Sequence, residues 1–72
     1  MDVKARLRAN MRRLRAERGW SQEELAHQAG LHRTYVSGVE RMVRNPTLTA
    51  LDKIAGAFEV GIGALTDPAA KS

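Results

Sequence analysis

The sequence predicts an all-α domain of five helices, and three observations carry that prediction. Apolar residues recur at spacings of three and four along most of the 72-residue chain, with none of the strict alternation a half-buried strand requires. Ser, Thr, Gly and Pro fall where helices would start and stop. Two short helical stretches meet at Gly30, the arrangement of a helix-turn-helix.

The first helix runs from about Val3 to Arg18. Val3, Leu7, Met11 and Leu14 form one apolar stripe, and Lys4 with Arg6, Arg8, Arg12, Arg13 and Arg15 fill the remaining faces. Gly19 can take a left-handed conformation and end the helix, after which Trp20 returns a large apolar body to the core. Ser21, Gln22, Glu23 and Glu24 have the form of a capping box, in which the Ser21 hydroxyl and the Glu24 carboxylate satisfy reciprocal backbone amides. A second helix therefore starts at Ser21, turns Leu25, Ala26 and Ala29 inward and closes at Gly30. After a short turn at Leu31, a third helix spans His32 or Arg33 to Arg41, with Val36, Val39 and the Glu40 stem inward. Asn45 and Pro46 make a loop, because the residue before proline avoids the helical region. Thr47 caps a fourth helix through Phe58, with Leu48, Leu51, Ile54, Ala55 and Phe58 at helical spacing. Val60, Ile62 and Leu65 suggest a last short helix, weakened by Gly61 and Gly63. The domain is expected over residues 1–66, with the helix-turn-helix at about 21–41 and a frayed tail at 67–72.

Composition narrows the function. A chain this short buries only about 60 to 65% of the surface its unfolded form exposes, so one core consumes nearly every apolar residue and a deep catalytic pocket does not fit. There is no cysteine, hence no disulfide framework and no thiolate metal site, in keeping with the cytoplasm. No apolar run is long enough for a membrane span, and Arg and Lys interrupt any signal-peptide core in residues 1–18. Residues 1–44 carry ten basic and five acidic side chains, whereas residues 45–72 carry two and three. Nine of the twelve basic residues are Arg, whose planar fork suits phosphate and guanine edges. A polyanion, nucleic acid above all, is the expected partner.

Stepping 100° per residue from the inward Val36 and Val39 puts Arg33, Thr34, Ser37, Gly38 and Arg41 on the opposite face of the third helix. An Arg, two hydroxyls, a glycine permitting close approach and no acid suit the major groove. Arg33 can donate twice to guanine O6 and N7, and the Thr34 methyl can meet a thymine methyl. His27 and His32 are five apart, off the spacing that sets two imidazoles on one helix face, so no metal site is expected. His32 is better placed to cap the third helix or touch phosphate. Ser37 with a His and Glu nearby makes no triad, since an exposed helix offers no oxyanion hole. No enzyme activity, cofactor or small-molecule ligand is expected.

The stretch SQEELAHQAGLHRTYVSGVERMVRNP, Ser21 to Pro46, resembles the helix-turn-helix family of the phage Cro and cI repressors, whose domains are compact and lambda-repressor-like. LHRTYVSGVER followed by RN is most similar to the controller proteins of restriction-modification systems. The resemblance implies a transcriptional regulator that binds a pseudo-palindromic operator in double-stranded DNA as a homodimer. It implies Gln22 beside a phosphate, Arg33 as main base reader, and Thr34, Tyr35 and Ser37 on bases or backbone, with Arg44 as a further DNA contact. Arg15 and Glu40 match a structural ion pair, and the fifth-helix region, Val60, Ile62 and Leu65, matches the dimer interface. Met42 and Glu59 stand where the family often has Gly, so those helix ends are expected to lack a left-handed cap. The bare domain suits a regulator that responds to its own concentration. The competing class is an antitoxin-type interaction module with DNA binding secondary, for which the few residues after Leu65 leave little to wrap a partner.

Overall fold

The computed structural model describes residues 2–68; Met1 and residues 69–72, the greater part of the tail expected to fray, lie outside the described residues. Five helices follow in order: α1 (Val3–Arg18), α2 (Gln22–Ala29), α3 (Arg33–Glu40), α4 (Leu48–Phe58) and α5 (Gly63–Thr66). Side-chain oxygens start three of them by accepting from free amides of the first turn. Asp2 Oδ1 takes the Ala5 N–H at 2.8 Å, Ser21 Oγ that of Glu24 at 3.0 Å, and Thr47 Oγ1 that of Ala50 at 3.0 Å. Only half of the expected capping box forms, because the Glu24 carboxylate accepts from Gln28 Nε2 at 2.7 Å, one turn along the same helix. His32 stands at the N-cap of α3 but makes no capping hydrogen bond with its side chain, which corrects the capping role considered for it.

Gly19 and Gly30 end α1 and α2 at φ of 67° and 70°. The expectation that Met42 and Glu59 forfeit such a cap is overturned, since they adopt φ of 65° and 60° without being glycine. At Glu59 the motif is complete: its N–H donates to Gly56 O and that of Val60 to Ala55 O, both at 3.0 Å. A side chain in this region crowds its own carbonyl and costs about 1 to 2 kcal/mol.

The core is a single cluster to which every helix contributes, from Leu7, Met11 and Leu14 on α1 to Phe58 on α4 and Leu65 on α5. Trp20 stacks on Phe58, ring centroids 5.6 Å apart and 18° between planes. Arg18 covers both rings and donates to Phe58 O at 2.6 Å and Leu14 O at 3.0 Å, satisfying backbone acceptors near the ends of α4 and α1. Two apolar expectations fail. Leu48 is 78% exposed and Val3 50%; at the start of α4 the inward side chains are instead Ala50 and Leu51.

Asn10 occupies the apolar stripe of α1, three residues after Leu7, and is 1% exposed. Its Nδ2 donates to Leu65 O and Asp67 O, each at 2.8 Å, while Arg6 Nε donates to Thr66 O at 2.7 Å. Helix α5 has four residues, too few to satisfy its own last carbonyls, and α1 supplies the missing donors. Asp67, counted in the tail expected to fray, is thus held in place. No helix of the described residues is long and apolar enough to cross a membrane.

Candidate nucleic-acid interface

Burial of Val36 and Val39 fixes the rotation of α3 about its axis. Arg33, Thr34 and Arg41 are then exposed and Ser37 half-buried, and together with Gln22 at the start of α2 they line one shallow concavity. Neither the Arg33 nor the Arg41 guanidinium has a partner among the described residues. Glu40, the acid of α3, is 0% exposed and lies under this surface. The concavity therefore presents cationic forks, hydroxyls and an amide, with no carboxylate among its lining residues.

A buried carboxylate needs a counter-charge and donors. Arg15 grips Glu40 with both forks, Nε to Oε2 and Nη2 to Oε1 at 2.8 Å each, and its third nitrogen donates to Trp20 O at 3.0 Å. Gln22 Nε2 donates to Glu40 Oε1 at 3.1 Å, and Arg12 Nε stands 3.7 Å from the same oxygen. The expected α1–α3 ion pair thus exists and has two further members. The hydrogen bond to Glu40 holds the Arg15 pKa above its ordinary value, against the lowering effect of burial, and the carboxylate's charge adds to the rise. Gln22, which the resemblance sets beside a phosphate, is tied into this network by one of its N–H groups.

Gly38 is a second departure. It is buried, not on the groove-facing surface, because the chain after α3 folds back over it. Val43 and Arg44 both donate to Gly38 O, at 3.0 and 3.2 Å, and a Cβ at Gly38 would lie 3.4 Å from the Arg44 Cβ. Arg44, not open space for a ligand, lies against this position. Arg44 also lies over the Tyr35 ring, 5.3 Å from its centroid, and the Tyr35 hydroxyl accepts from the Thr47 N–H at 3.2 Å. Tyr35 and Arg44 are therefore brought together, with Arg44 exposed beside the concavity's helix and His32 exposed at that helix's start.

Of the residues expected to pair two subunits, Leu65 is 0% exposed and belongs to the monomer core, pulled there by the Asn10 and Arg6 bonds around it. Val60 and Ile62 are half-buried, packed on that core by one side. Sequence reasoning missed Asn10 and the Gln22–Glu40 link; Asn10 had a visible signal in its place on the apolar stripe, and the link had none.

The family model described as helix-turn-helix matches residues 11–65. A hypothetical transcription factor of Neisseria meningitidis serogroup B is 54% identical over 59 residues, 82% of this chain and 56% of that protein; the chain thus spans little more than half the length of that relative. Control protein C.SmaI of Serratia marcescens is 45% identical over 62 residues, 86% of this chain and 74% of that protein. Among solved structures, the restriction-modification controller protein C.Esp1396I bound to a 19 base pair DNA duplex matches with a TM-score of 0.77 and 36% identity, covering 85% of this chain and 81% of that one. This chain belongs to the helix-turn-helix family, and its relatives include restriction-modification controllers.

Proposed function

We propose that this chain is a sequence-specific DNA-binding transcriptional regulator that binds a pseudo-palindromic operator as a homodimer. The concavity of Gln22, Arg33, Thr34, Ser37 and Arg41 carries the reading, because its two unpartnered guanidiniums and its lack of acid fit a groove lined by acceptors. The likeness to C.Esp1396I, which is bound to a DNA duplex, supports it. In this reading α3 lies in the major groove, Arg33 donates to guanine O6 and N7, and Thr34 and Ser37 meet neighbouring base edges or backbone. Arg41, Arg44, Tyr35 and His32 contact phosphates, and these bonds make affinity fall steeply with salt. Half-site centres stand about one helical turn, roughly 34 Å, apart.

Val60 and Ile62 supply the apolar contact between subunits, with Leu65 behind them. The similarity to C.SmaI favours a cytoplasmic controller that autoregulates its own operon through occupancy, acting by binding and not by catalysis. Selection of sites from random duplexes tests the function: two inverted half-sites are expected to be enriched, and recovery of no preferred sequence refutes it. Sedimentation at low micromolar concentration tests the dimer, which a persistent monomer overturns.

A further inference from the structure

A hollow on α1 is lined by Ala5, Arg8, Ala9 and Arg12, and the fold makes little use of its two guanidiniums. Arg8 is half-buried, yet its Nη1 donates to the Met42 thioether at 3.8 Å and its buried Nε has no partner among the described residues. Desolvating a cation is costly unless a counter-charge or strong hydrogen bonds offset it, and none of the described ion pairs includes Arg8. Arg12 is exposed and stands 3.7 Å from a Glu40 carboxylate that Arg15 already grips at 2.8 Å. Both charges are left for something outside the chain. Two contacts set the hollow beside the concavity of α2 and α3. Arg12 Nε and Gln22 Nε2 approach the same Glu40 Oε1, at 3.7 and 3.1 Å, and Gln22 lines the concavity. Arg8 touches Met42, the residue after Arg41, which lines it too. One turn apart on one face of α1, with Cβ atoms about 5 to 6 Å from each other, Arg8 and Arg12 make a cationic row at the concavity's margin.

We propose that Arg8 and Arg12 form a second anion site, which grips backbone phosphates bordering the groove that α3 enters, an inference that rests on the DNA-binding reading above. Base edges lie on the floor of the groove, where α3 stands, whereas a row at the margin of the concavity meets the groove wall, which is backbone. The chemistry agrees: guanidiniums supply donors alone, the alanine floor adds no acceptor for a base amine, and phosphate oxygens are acceptors with a charge to neutralise. A carboxylate of a protein partner carries the same charge, but the row's place beside the groove-facing concavity favours the DNA backbone.

The test uses the whole chain and the duplex recovered by selection, and compares the wild type with Arg8→Gln, Arg12→Gln and the double variant, which keep a long polar side chain and lose the charge. Each phosphate contact adds about 0.9 to the steepness with which log affinity falls against log salt. Each single variant is therefore expected to shallow that slope by about 0.9 and the double variant by about 1.8, with selected and scrambled duplexes weakened by the same factor. A series of duplexes, each with one phosphate replaced by a neutral methylphosphonate, locates the contact. The wild type should lose affinity when a phosphate at the border of the half-site is neutralised; Arg8→Gln should be indifferent to that replacement and remain sensitive to the others. Because slopes and ratios are compared within one variant, a general loss of stability cancels. Unchanged slopes and an unchanged set of sensitive phosphates in all three variants overturn the inference, leaving the row to a protein partner or to solvent while DNA binding stands. A loss confined to one base pair makes the row a base reader and overturns it as well, whereas a wild type that prefers no duplex overturns the underlying reading instead.

Discussion

Replacing Glu59 by glycine is expected to stabilise the domain, and the size of the gain follows from the end of α4. Glu59 holds φ 60° and ψ 42°, where a side chain costs about 1 to 2 kcal/mol that glycine does not. Glycine gives back about 0.4 to 1 kcal/mol of that by adding freedom to the unfolded chain. Removing the exposed carboxylate from the negative end of the α4 dipole adds roughly 0.3 kcal/mol, the low end for surface charges. The two backbone bonds of the cap, Glu59 N–H to Gly56 O and Val60 N–H to Ala55 O, need no side chain and survive. The net gain is about 1 kcal/mol, which in a domain of this size raises Tm by about 4 to 8 °C. Glu59→Ala is the control, since it removes the charge but keeps the left-handed strain, and it should gain only about 0.3 kcal/mol. Thermal unfolding followed by circular dichroism measures both. A glycine variant no more stable than the alanine variant would refute the reasoning, because the backbone contribution is the difference between them.

Arg15→Ala leaves Glu40 buried without its bidentate partner and should cost about 3 to 5 kcal/mol by urea denaturation, with Arg12 alone too distant to replace it. The Arg15 pKa is raised on folding, so the linked stability is fully present below the ordinary arginine value and is lost only as pH climbs through the raised one; stability measured from pH 6 to 9 should therefore carry no pH dependence from Arg15. Arg33→Ala should lose about 1 to 3 kcal/mol of discrimination at one guanine in competition binding, whereas an equal loss on all duplexes would make Arg33 a phosphate contact. Gly38→Ala should leave operator affinity unchanged in a direct titration, since a Cβ there meets Arg44 at ordinary contact distance; a marked loss would return Gly38 to the groove-facing surface.

Much of this was legible because the signals are local. Caps such as Thr47 and stops such as Gly30 act within one helical turn, so the helix limits were readable from neighbours in sequence. The Arg15–Glu40 pair was readable from resemblance. What escaped depends on contacts between distant segments. Helical periodicity placed Gly38 on the outer face, and nothing in its neighbourhood says that Arg44 returns to cover it. Periodicity likewise turned Leu48 inward, although the same turn buries Ala50 and leaves Leu48 on its outer side. Glu59 and Met42 were misread for another reason: a rule about residue preference was applied where tertiary packing imposed the left-handed turn.

The grip of α1 on α5 bears on the order in which the chain assembles. Asn10 and Arg6 reach partners 55 to 60 residues away, the widest separations among the hydrogen bonds described here, while α5 itself is one turn long. Closing so wide a loop is entropically costly, so α5 is expected to dock after the other four helices and to open first. Amide hydrogens of Leu65 and Asp67 should therefore exchange well before those at the centre of α4. If Val60 and Ile62 pair two copies, the segment that recruits a second subunit is also the last to settle. Newly made chains would then search for operators only after folding is complete, and a partly folded chain would be unable to capture a finished one.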